Sequence, residues 1–511
     1  VGKNLRLDCS PRYLYEATKE FFDVEATVPV PTPWWDNPGS DSDIDFRGQL
    51  SDFELGSESD GFLPFGGELN SGLLDSTQRV ADRIIGSFGV FNPESIRGRH
   101  GPGAVSDLRS DAYKYDFPNW SERLESMFPY DWHGTTMLGL YENSFGTEST
   151  SFQNEGASKL VAVPKTQKGP RLIASEPTAN QWIQQGIQDY LRDSVQRSAL
   201  GTCIDFFDQE PSRRLALRAS RDGDHITLDL KSASDRISCQ LVERIFRRHP
   251  KLLQAMAACR TRYMINYLDH RYPTLIRLRK FSTMGSALTF PVQSIIFAII
   301  CLGVGRHLTG LPVGELARQV RVFGDDLIVP KEWEPSLQRV LHTLGLRVNQ
   351  TKTHTRGNFR ESCGMDAFRG YDVTPPHVTF SPERPTPEAV ASSVAVSNNF
   401  FTKGLWHAAN WVKSAVPLGN IPVVRLSSGI FGFKSFAGSC GSRIRWDPKL
   451  QQTEVRASTV IADATRLKKE TASCLLQYFT EEPPPHIDYE SGVAVAGVPK
   501  IRHTWVPTYL L

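Results

Sequence analysis

The sequence predicts an α+β fold built from several subdomains, and three observations carry that expectation. A chain of 511 residues with 40% hydrophobic and 22% charged content is long enough to bury more than one core. A helical period is plain in Ile183, Ile187, Leu191 and Val195, apolar residues at every fourth position. The period then becomes that of a strand. Ile226, Leu228 and Leu230 alternate with Thr227 and Asp229, and Val320 and Val322 lead into Phe323-Gly324-Asp325-Asp326-Leu327-Ile328-Val329, which reads as a β-hairpin turning at Gly324-Asp325.

In chain order, residues 1–75 read as an irregular, surface-wrapping and partly mobile extension. Val28–Pro38 is rich in Pro and Trp, and residues 36–60 carry eight acids against one base, Arg47, a local charge of −7. The whole chain is +2, so the remainder is +9. The acidic stretch suits either a solvated segment or a dock for a basic partner. Gly98–Asp107 and Pro164–Pro177 read as loops, and beyond Pro375 the pattern is mixed, with proline-rich breaks at 375–387 and 483–485. Phe281–Gly305 is uncharged, yet its continuous apolar part begins only at Ile295, short of the ~20 residues that span a bilayer. It is expected to be a buried helix, with no membrane partner. Eight cysteines (Cys9, Cys203, Cys239, Cys259, Cys301, Cys363, Cys440 and Cys474) form no C-x-x-C and have no His close enough to complete a zinc motif. They read as reduced cytosolic thiols, and no secretory signal is expected.

The chemistry concentrates in a few strings. Gly324-Asp325-Asp326 puts two carboxylates on a tight turn held by apolar strands, oxygen ligands suited to Mg²⁺ or Mn²⁺; alone it fits a solvated turn equally. Asp229 ends a second strand and is followed by Lys231-Ser232-Ala233-Ser234-Asp235. A two-ion site needs convergent carboxylates, and Asp229 with Asp325 supplies that pairing. Asp235 also suits a helix cap or an Asx turn. Ser282 to Thr289 joins a small-residue turn to the apolar helix. Gly285 allows close backbone approach there, and Thr289 and Gln293, one turn apart, offer a hydroxyl and an amide to a ribose or base. Lys165, Lys168 and Arg171 project from a loop or irregular strand and suit a triphosphate. Arg213, Arg214, Arg218 and Arg221 form a further basic set. Arg271, Arg277, Arg279 and Lys280 form another, in which Arg277 and Arg279 alternate with Ile276, Leu278 and Phe281, so that one face packs and the other meets phosphates. No G-x-x-x-x-G-K-[ST], H-E-x-x-H or strand–G-x-G-x-x-G–helix signature competes.

The order of these strings (basic loop, D-x5-D, S-T-M-G-x3-T, F-G-D-D, then Asn349-Gln350-Thr351-Lys352) resembles the motif series of template-dependent RNA polymerases of right-hand architecture. More narrowly, Asp229 to Ser238, Met284-Gly285 with Thr289-Phe290, and Phe359-Arg360-Glu361-Ser362-Cys363-Gly364 resemble the replicase subunit of levivirus-type, Q-beta-like, single-stranded RNA bacteriophages. The likeness covers about residues 95–380. It implies fingers, a palm of antiparallel sheet flanked by helices, and a thumb. The divisions expected are 1–75 extension, 76–222 fingers, 223–250 first palm part, 251–280 fingers-like insertion, 281–375 second palm part, and 376–511 thumb and C-terminal region.

The resemblance also implies roles. Asp229, Asp325 and Asp326, with the Leu230 carbonyl, would hold two Mg²⁺ ions, with Mn²⁺ as substitute. Lys165, Lys168 and Arg171 would neutralise the triphosphate, and Asp235, Thr289 and Gln293 would sense the ribose. Gly285 would support the template, and Lys352 would protonate the leaving pyrophosphate. Arg213, Arg277 and Arg279 are the candidate RNA contacts. Many RNA polymerases have Asn at the position of Gln293. A buried structural thiol accounts for Cys363. The implied partners are a single-stranded RNA template and its product, ribonucleoside triphosphates, and, in Q-beta-type relatives, host elongation factors Tu and Ts and a ribosomal protein, in the cytoplasm of an infected bacterium; initiation would need no primer. The rival readings are a reverse transcriptase, against which the small residues Ser232, Ala233 and Ser234 argue, and a non-catalytic RNA-binding or assembly protein.

Overall fold

A computed structural model describes residues 11–36, 38, 48–53, 71–101, 103–109, 113–144, 155–166, 169–376, 378, 387–416, 421–428, 431–437, 444–463, 472–480 and 498–507. Most of the acidic stretch, Lys168, and the side chain of Lys165 lie outside the described residues.

The helices that frame the site are α1 (Pro11–Thr27), α2 (Ser71–Ile85), α3 (Thr178–Arg197), α4 (Glu210–Asp222), α5 (Cys239–Phe246), α6 (Pro250–Ala258), α7 (Thr289–Thr309) and α8 (Glu334–Thr343). Farther along lie α9 (Pro387–Thr402), α10 (Trp406–Ala415) and α11 (Ala472–Thr480). The first strands are β1 (Ser158–Thr166), β2 (Gly169–Ser175), β3 (His225–Leu228), β4 (Tyr263–Ile265), β5 (Leu275–Arg277), β6 (Arg321–Phe323) and β7 (Asp326–Pro330). After them come β8 (Phe359–Ser362), β9 (Met365–Phe368), β10 (Tyr371–Asp372), β11 (Val423–Arg425), β12 (Phe433–Ser435), β13 (Ile444–Asp447), β14 (Gln452–Asp463) and β15 (Val498–Pro507).

Helix α7 is the axis of the core. From Pro291 to Gly305 every residue is buried, because the sequence there is apolar on all sides. It is the one helix among the described residues that is long and apolar enough to cross a membrane, and 89% of its apolar window is inside the protein. The expectation of a buried helix therefore holds from Thr289 onward, whereas residues 281–288 before it are irregular and Gly285 is exposed. Helix α2 crosses it closely: the Ser76 hydroxyl donates to the Gly303 carbonyl over 2.9 Å. The predicted period of α3 is also realised, with Ile183, Ile187, Leu191 and Val195 all fully buried.

Two sheets position the cleft. The order β3-β7-β6 is antiparallel throughout, with β7 central and Phe323 paired to Asp326 across the turn, as the hairpin pattern predicts. Helix α4 lies against all three strands and α7 against β6, so β3 is buried along its whole length instead of half-exposed. The second sheet, β2-β1-β4-β5, joins chain segments a hundred residues apart: β1 pairs β2 antiparallel and β4 in parallel, Ser158 opposite Met264. Hairpins β8-β9-β10, the pair β11-β12 and the sheet β13-β14-β15 complete the strands.

Two expectations need correction. Pro164–Pro177 is no loop: β1 and β2 form a hairpin with an irregularity between Pro164 and Thr166, where the prolines interrupt the strand pattern without abolishing the pairing. The extension is not irregular throughout either. Residues 11–27 form the 17-residue helix α1, whose Phe21, Phe22 and Val24 are buried, and Trp34 and Trp35 are anchored in the core.

A side chain at the α2–α7 crossing has no room: a Cβ on Gly303 would stand 2.4 Å from the Thr77 Cα. Gly303→Ala is expected to cost about 1–3 kcal/mol by overpacking, read as a lower urea midpoint with unchanged slope.

Candidate active site

The hairpin turn is built from below by α7. Gly324 has φ +62°, and it is the positive-φ residue of the turn, the arrangement that favours glycine at the first central position. Its N–H donates to the Ser294 hydroxyl over 3.1 Å, and an added Cβ would stand 2.9 Å from the Phe290 ring and 3.0 Å from Gln293 Nε2. Glycine is thus required twice, by dihedral and by space. The turn leaves Asp325 exposed, while Asp326 is partly buried at the start of β7.

Asp229 follows β3 directly, on a path locked by neighbours: its carbonyl accepts the Asn349 N–H (2.8 Å) and the Lys231 N–H donates to the Arg347 carbonyl (2.8 Å). Its carboxylate Oδ2 accepts from Asn349 Nδ2 at 2.7 Å and lies 3.3 Å from Lys352 Nζ. Asp326 is held from the other side, where its Oδ2 accepts the backbone N–H of Cys363 at 3.0 Å. Cys363 and Gly364 make the β8–β9 turn with φ +49° and +73°, and the Arg213 guanidinium donates to the Cys363 carbonyl at 3.0 Å. Burial, then the charge of Asp325, push the Asp326 carboxyl up to about 6; Asp229 adds to this, while the Cys363 N–H and Lys352 oppose it. The Asp326 carboxyl therefore feels the charge of both other carboxylates.

A cleft of about 710 Å³ opens in front of them. Asp229, Leu230, Asp235, Asp325, Asn349 and Lys352 line one side, and Arg171, Gly285, Thr289 and Gln293 line it farther round. Helix α1 also lines it, through Ala17, Glu20, Phe21 and Val24. Gly285, with φ +133°, sits against β2, where a Cβ would be 1.8 Å from the Ala174 carbonyl, and the Ala174 N–H donates to the Met284 carbonyl at 2.7 Å. The loop is held again from α3, since Gln188 Nε2 donates to the Ala287 carbonyl (2.7 Å) and Gln184 accepts the Ala287 N–H (3.3 Å). The Thr289 hydroxyl donates to the Thr283 carbonyl at 2.7 Å. Gln293 Oε1 is buried without a hydrogen-bond partner, an acceptor held ready at the cleft.

The other sequence candidates divide. Arg171 is exposed on β2 and lines the cleft, whereas Arg277 is paired with Asp36 and Arg279 donates to the Ala26 carbonyl at 3.0 Å. Lys280, grouped by sequence with the phosphate-facing cations, is fully buried. The alternation itself carried the signal: Ile276, Leu278 and Lys280 share one parity, so the lysine belongs to the inner face. Sequence reasoning also passed over Asn349 as a partner of Asp229, the Cys363 backbone, and the whole α1 wall.

For a metal, the donor chemistry fits: carboxylates alone, in a cleft where they repel one another, are ligands for a hard divalent cation. No three acidic, His or Cys side chains among the described residues converge on a single ion position. Asp229 is drawn instead to Asn349 and Lys352, so convergence on an ion would require Lys352 to release it.

Comparison with known proteins assigns the family. The model of "RNA replicase, beta-chain" matches residues 124–384, half of the chain and the span that holds every candidate residue named above except those of α1. The chain belongs to that family. It is 36% identical over 228 residues to the RNA-directed RNA polymerase beta chain of Enterobacteria phage fr (45% of this chain, 39% of the relative). It is 30% identical over 346 residues to the RNA-directed RNA polymerase subunit beta of Enterobacteria phage SP (65% and 55%). To that of Escherichia virus Qbeta it is 33% identical over 256 residues (49% and 40%). The matched region thus spans about two-fifths to just over half the length of these relatives.

Because the folded protein holds the Asp326 proton more tightly than the unfolded chain, that group favours folding fully below pH 3.8 and loses its contribution as pH rises through about 6. Asp326→Asn is expected to match the unaltered chain near pH 4 and to exceed it by roughly 2–3 kcal/mol at pH 7. Urea unfolding without divalent cations at both pH values tests this.

Proposed function

We propose that this chain is an RNA-directed RNA polymerase that copies single-stranded RNA by nucleotidyl transfer, with the 3′ hydroxyl of the growing strand attacking the α-phosphate of a ribonucleoside triphosphate. The observation that carries the reading is the placement of Asp229 and Asp325 on one cleft, with Asp326 within charge range of both, beside a cation, Arg171, and an unpartnered buried amide oxygen, Gln293. Membership of the replicase family supports it.

In this reading Asp229, Asp325 and Asp326, with the Leu230 carbonyl, hold two divalent ions, Mg²⁺ or Mn²⁺. When bound, such ions stabilise charge on the attacking and leaving oxygens. Arg171, with Lys165 and Lys168, binds the triphosphate. Asp235, Gln293 and Thr289 meet the ribose; a hydroxyl group there satisfies the Gln293 oxygen that otherwise stays unpaired in the buried wall. Gly285 lets the template pass close to the backbone. Lys352, 44% exposed and 3.3 Å from Asp229, is free to swing to the departing pyrophosphate and give it a proton. Arg213, Arg277 and Arg279 remain the candidate RNA contacts; each also meets protein atoms, Arg213 the Cys363 carbonyl, Arg277 Asp36 and Arg279 the Ala26 carbonyl. The chain would work in the cytoplasm of an infected bacterium, fold into fingers, palm and thumb, start without a primer, and share the host elongation factors Tu and Ts and a ribosomal protein with Q-beta-type relatives.

The test is extension on a single-stranded RNA template with labelled ribonucleotides and Mg²⁺, beside deoxyribonucleotides. Template-length RNA is expected from the intact chain, and Asp325→Asn should lower its yield by about a hundredfold or more. A DNA product would move the protein to the reverse transcriptases. Binding of RNA with no product, even after addition of bacterial extract, would leave a non-catalytic RNA-binding protein.

A further inference from the structure

Helix α1 lies outside the span matched to the replicase family, yet it meets the site through a buried charge. The Lys280 ammonium is fully buried, 2.8 Å from Asp235 Oδ1, 3.2 Å from Glu25 Oε2 and 3.5 Å from the centroid of the Phe21 ring. A buried ammonium persists only where partners replace its water: here it donates to Asp235, is paired by charge with Glu25, whose Oε2 accepts no hydrogen bond, and lies over an aromatic face. Glu25 is fixed in turn, because its other oxygen accepts the Arg279 backbone N–H. Asp235 lines the cleft, and its Oδ2 has no hydrogen bond among the described residues. The same helix grips the other end of the segment: Glu20 accepts from the Ser232 hydroxyl at 3.0 Å and lies 3.3 Å from Lys231 Nζ. Ser232 has φ +51°, a left-handed conformation that a serine holds only with support from its surroundings.

We propose that α1 sets sugar selectivity at the nucleotide site: Glu25 and Phe21 hold Lys280, and Lys280 holds Asp235 so that one carboxylate oxygen remains for the 2′ hydroxyl of a ribonucleotide. The inference rests on the polymerase reading above, in which Asp235 meets the ribose. Glu25 and Lys280 touch no substrate and are positioning residues. Two carboxylates compete for one ammonium. With the charge of Glu25 removed, Lys280 turns wholly to Asp235 and draws both of its oxygens inward. Ribonucleotide use then falls, while a deoxyribonucleotide, which lacks the hydroxyl, is little affected.

The experiment compares kcat/KM for a ribonucleotide and its 2′-deoxy counterpart in the full chain and in Glu25→Gln, Glu25→Asp and Phe21→Leu, each pair measured on one preparation so that the ratio is independent of the fraction folded. Glu25→Gln is expected to lower the ribo/deoxy ratio roughly tenfold, the size of one misplaced hydrogen bond, mainly through the ribonucleotide KM; Glu25→Asp should restore much of it. Phe21→Leu keeps an apolar side chain on α1 and removes the ring face over the ammonium; because Phe21 also lines the cleft, it carries the test, if Glu25→Gln does not fold, only through the ribo/deoxy ratio, which is expected to fall as in Glu25→Gln. A ratio unchanged in these variants while the unaltered chain polymerises overturns the role of α1 and leaves the polymerase reading intact. An unaltered chain that is silent with ribonucleotides even after addition of bacterial extract overturns both.

Discussion

Like charge confined in a partly dry cleft is the constraint around which this structure is arranged. Asp229, Asp325 and Asp326 come from two neighbouring strands, and burial together with mutual repulsion raises the Asp326 carboxyl. Left alone, such a group would swing outward or open the hairpin. Two of the carboxylates are instead tied by something outside their own strand: Asp326 by the Cys363 N–H and Asp229 by Asn349 and Lys352. The turn itself is seated on Ser294.

The seating explains why so much apolar sequence is invested in α7. Its N-terminal turns carry Phe290, Gln293 and Ser294 beneath the hairpin, and the turns that follow are locked in the core. A rigid, fully packed helix transmits no slack, so the position of Gly324 is fixed by the packing of residues well away from it. The loop before α7 is treated the same way. Ala174 grips it from a strand and Gln184 and Gln188 from a helix. These buried amides on α3 are what an otherwise apolar helix face needs in order to hold the backbone of a loop with no regular partners of its own.

Much of this was legible in the sequence where a single period dominates. The helix at Ile183–Val195 and the hairpin at Gly324 each show one period over enough residues to be read, and the run from Ile295 is apolar without interruption. Asp229, Asp325 and Asp326 were legible because their strings are short and ordered along the chain. The hairpin of β1 and β2 was not, since Pro164, Gly169 and Pro170 are loop signals locally and only pairing overrides them. Helix α1 was hidden for a related reason: its buried face is short, and its stability comes from packing on β2 and the cleft rather than from its own pattern. Lys280 shows the limit of reading charge by type. Lysine is counted as a surface residue, but strand parity places this one inside, and only the three-dimensional neighbours Glu25 and Asp235 make that position tenable.

The family match and the physical site therefore have different boundaries. Residues 124–384 contain the carboxylates, the glycine turn and the loop before α7. Yet α1 also lines the cleft, and the buried lysine behind Asp235 is complete only with Glu25 and Phe21 from that helix. A carboxylate at a cleft is only as well aimed as the groups that hold its second shell of charge. Chemistry at the turn is thus specified within the matched span, while the orientation of Asp235 is specified partly outside it. Within α1, Phe21 and Glu25 are the residues on which Lys280 depends, because an ammonium without them would be left buried beside a single partner.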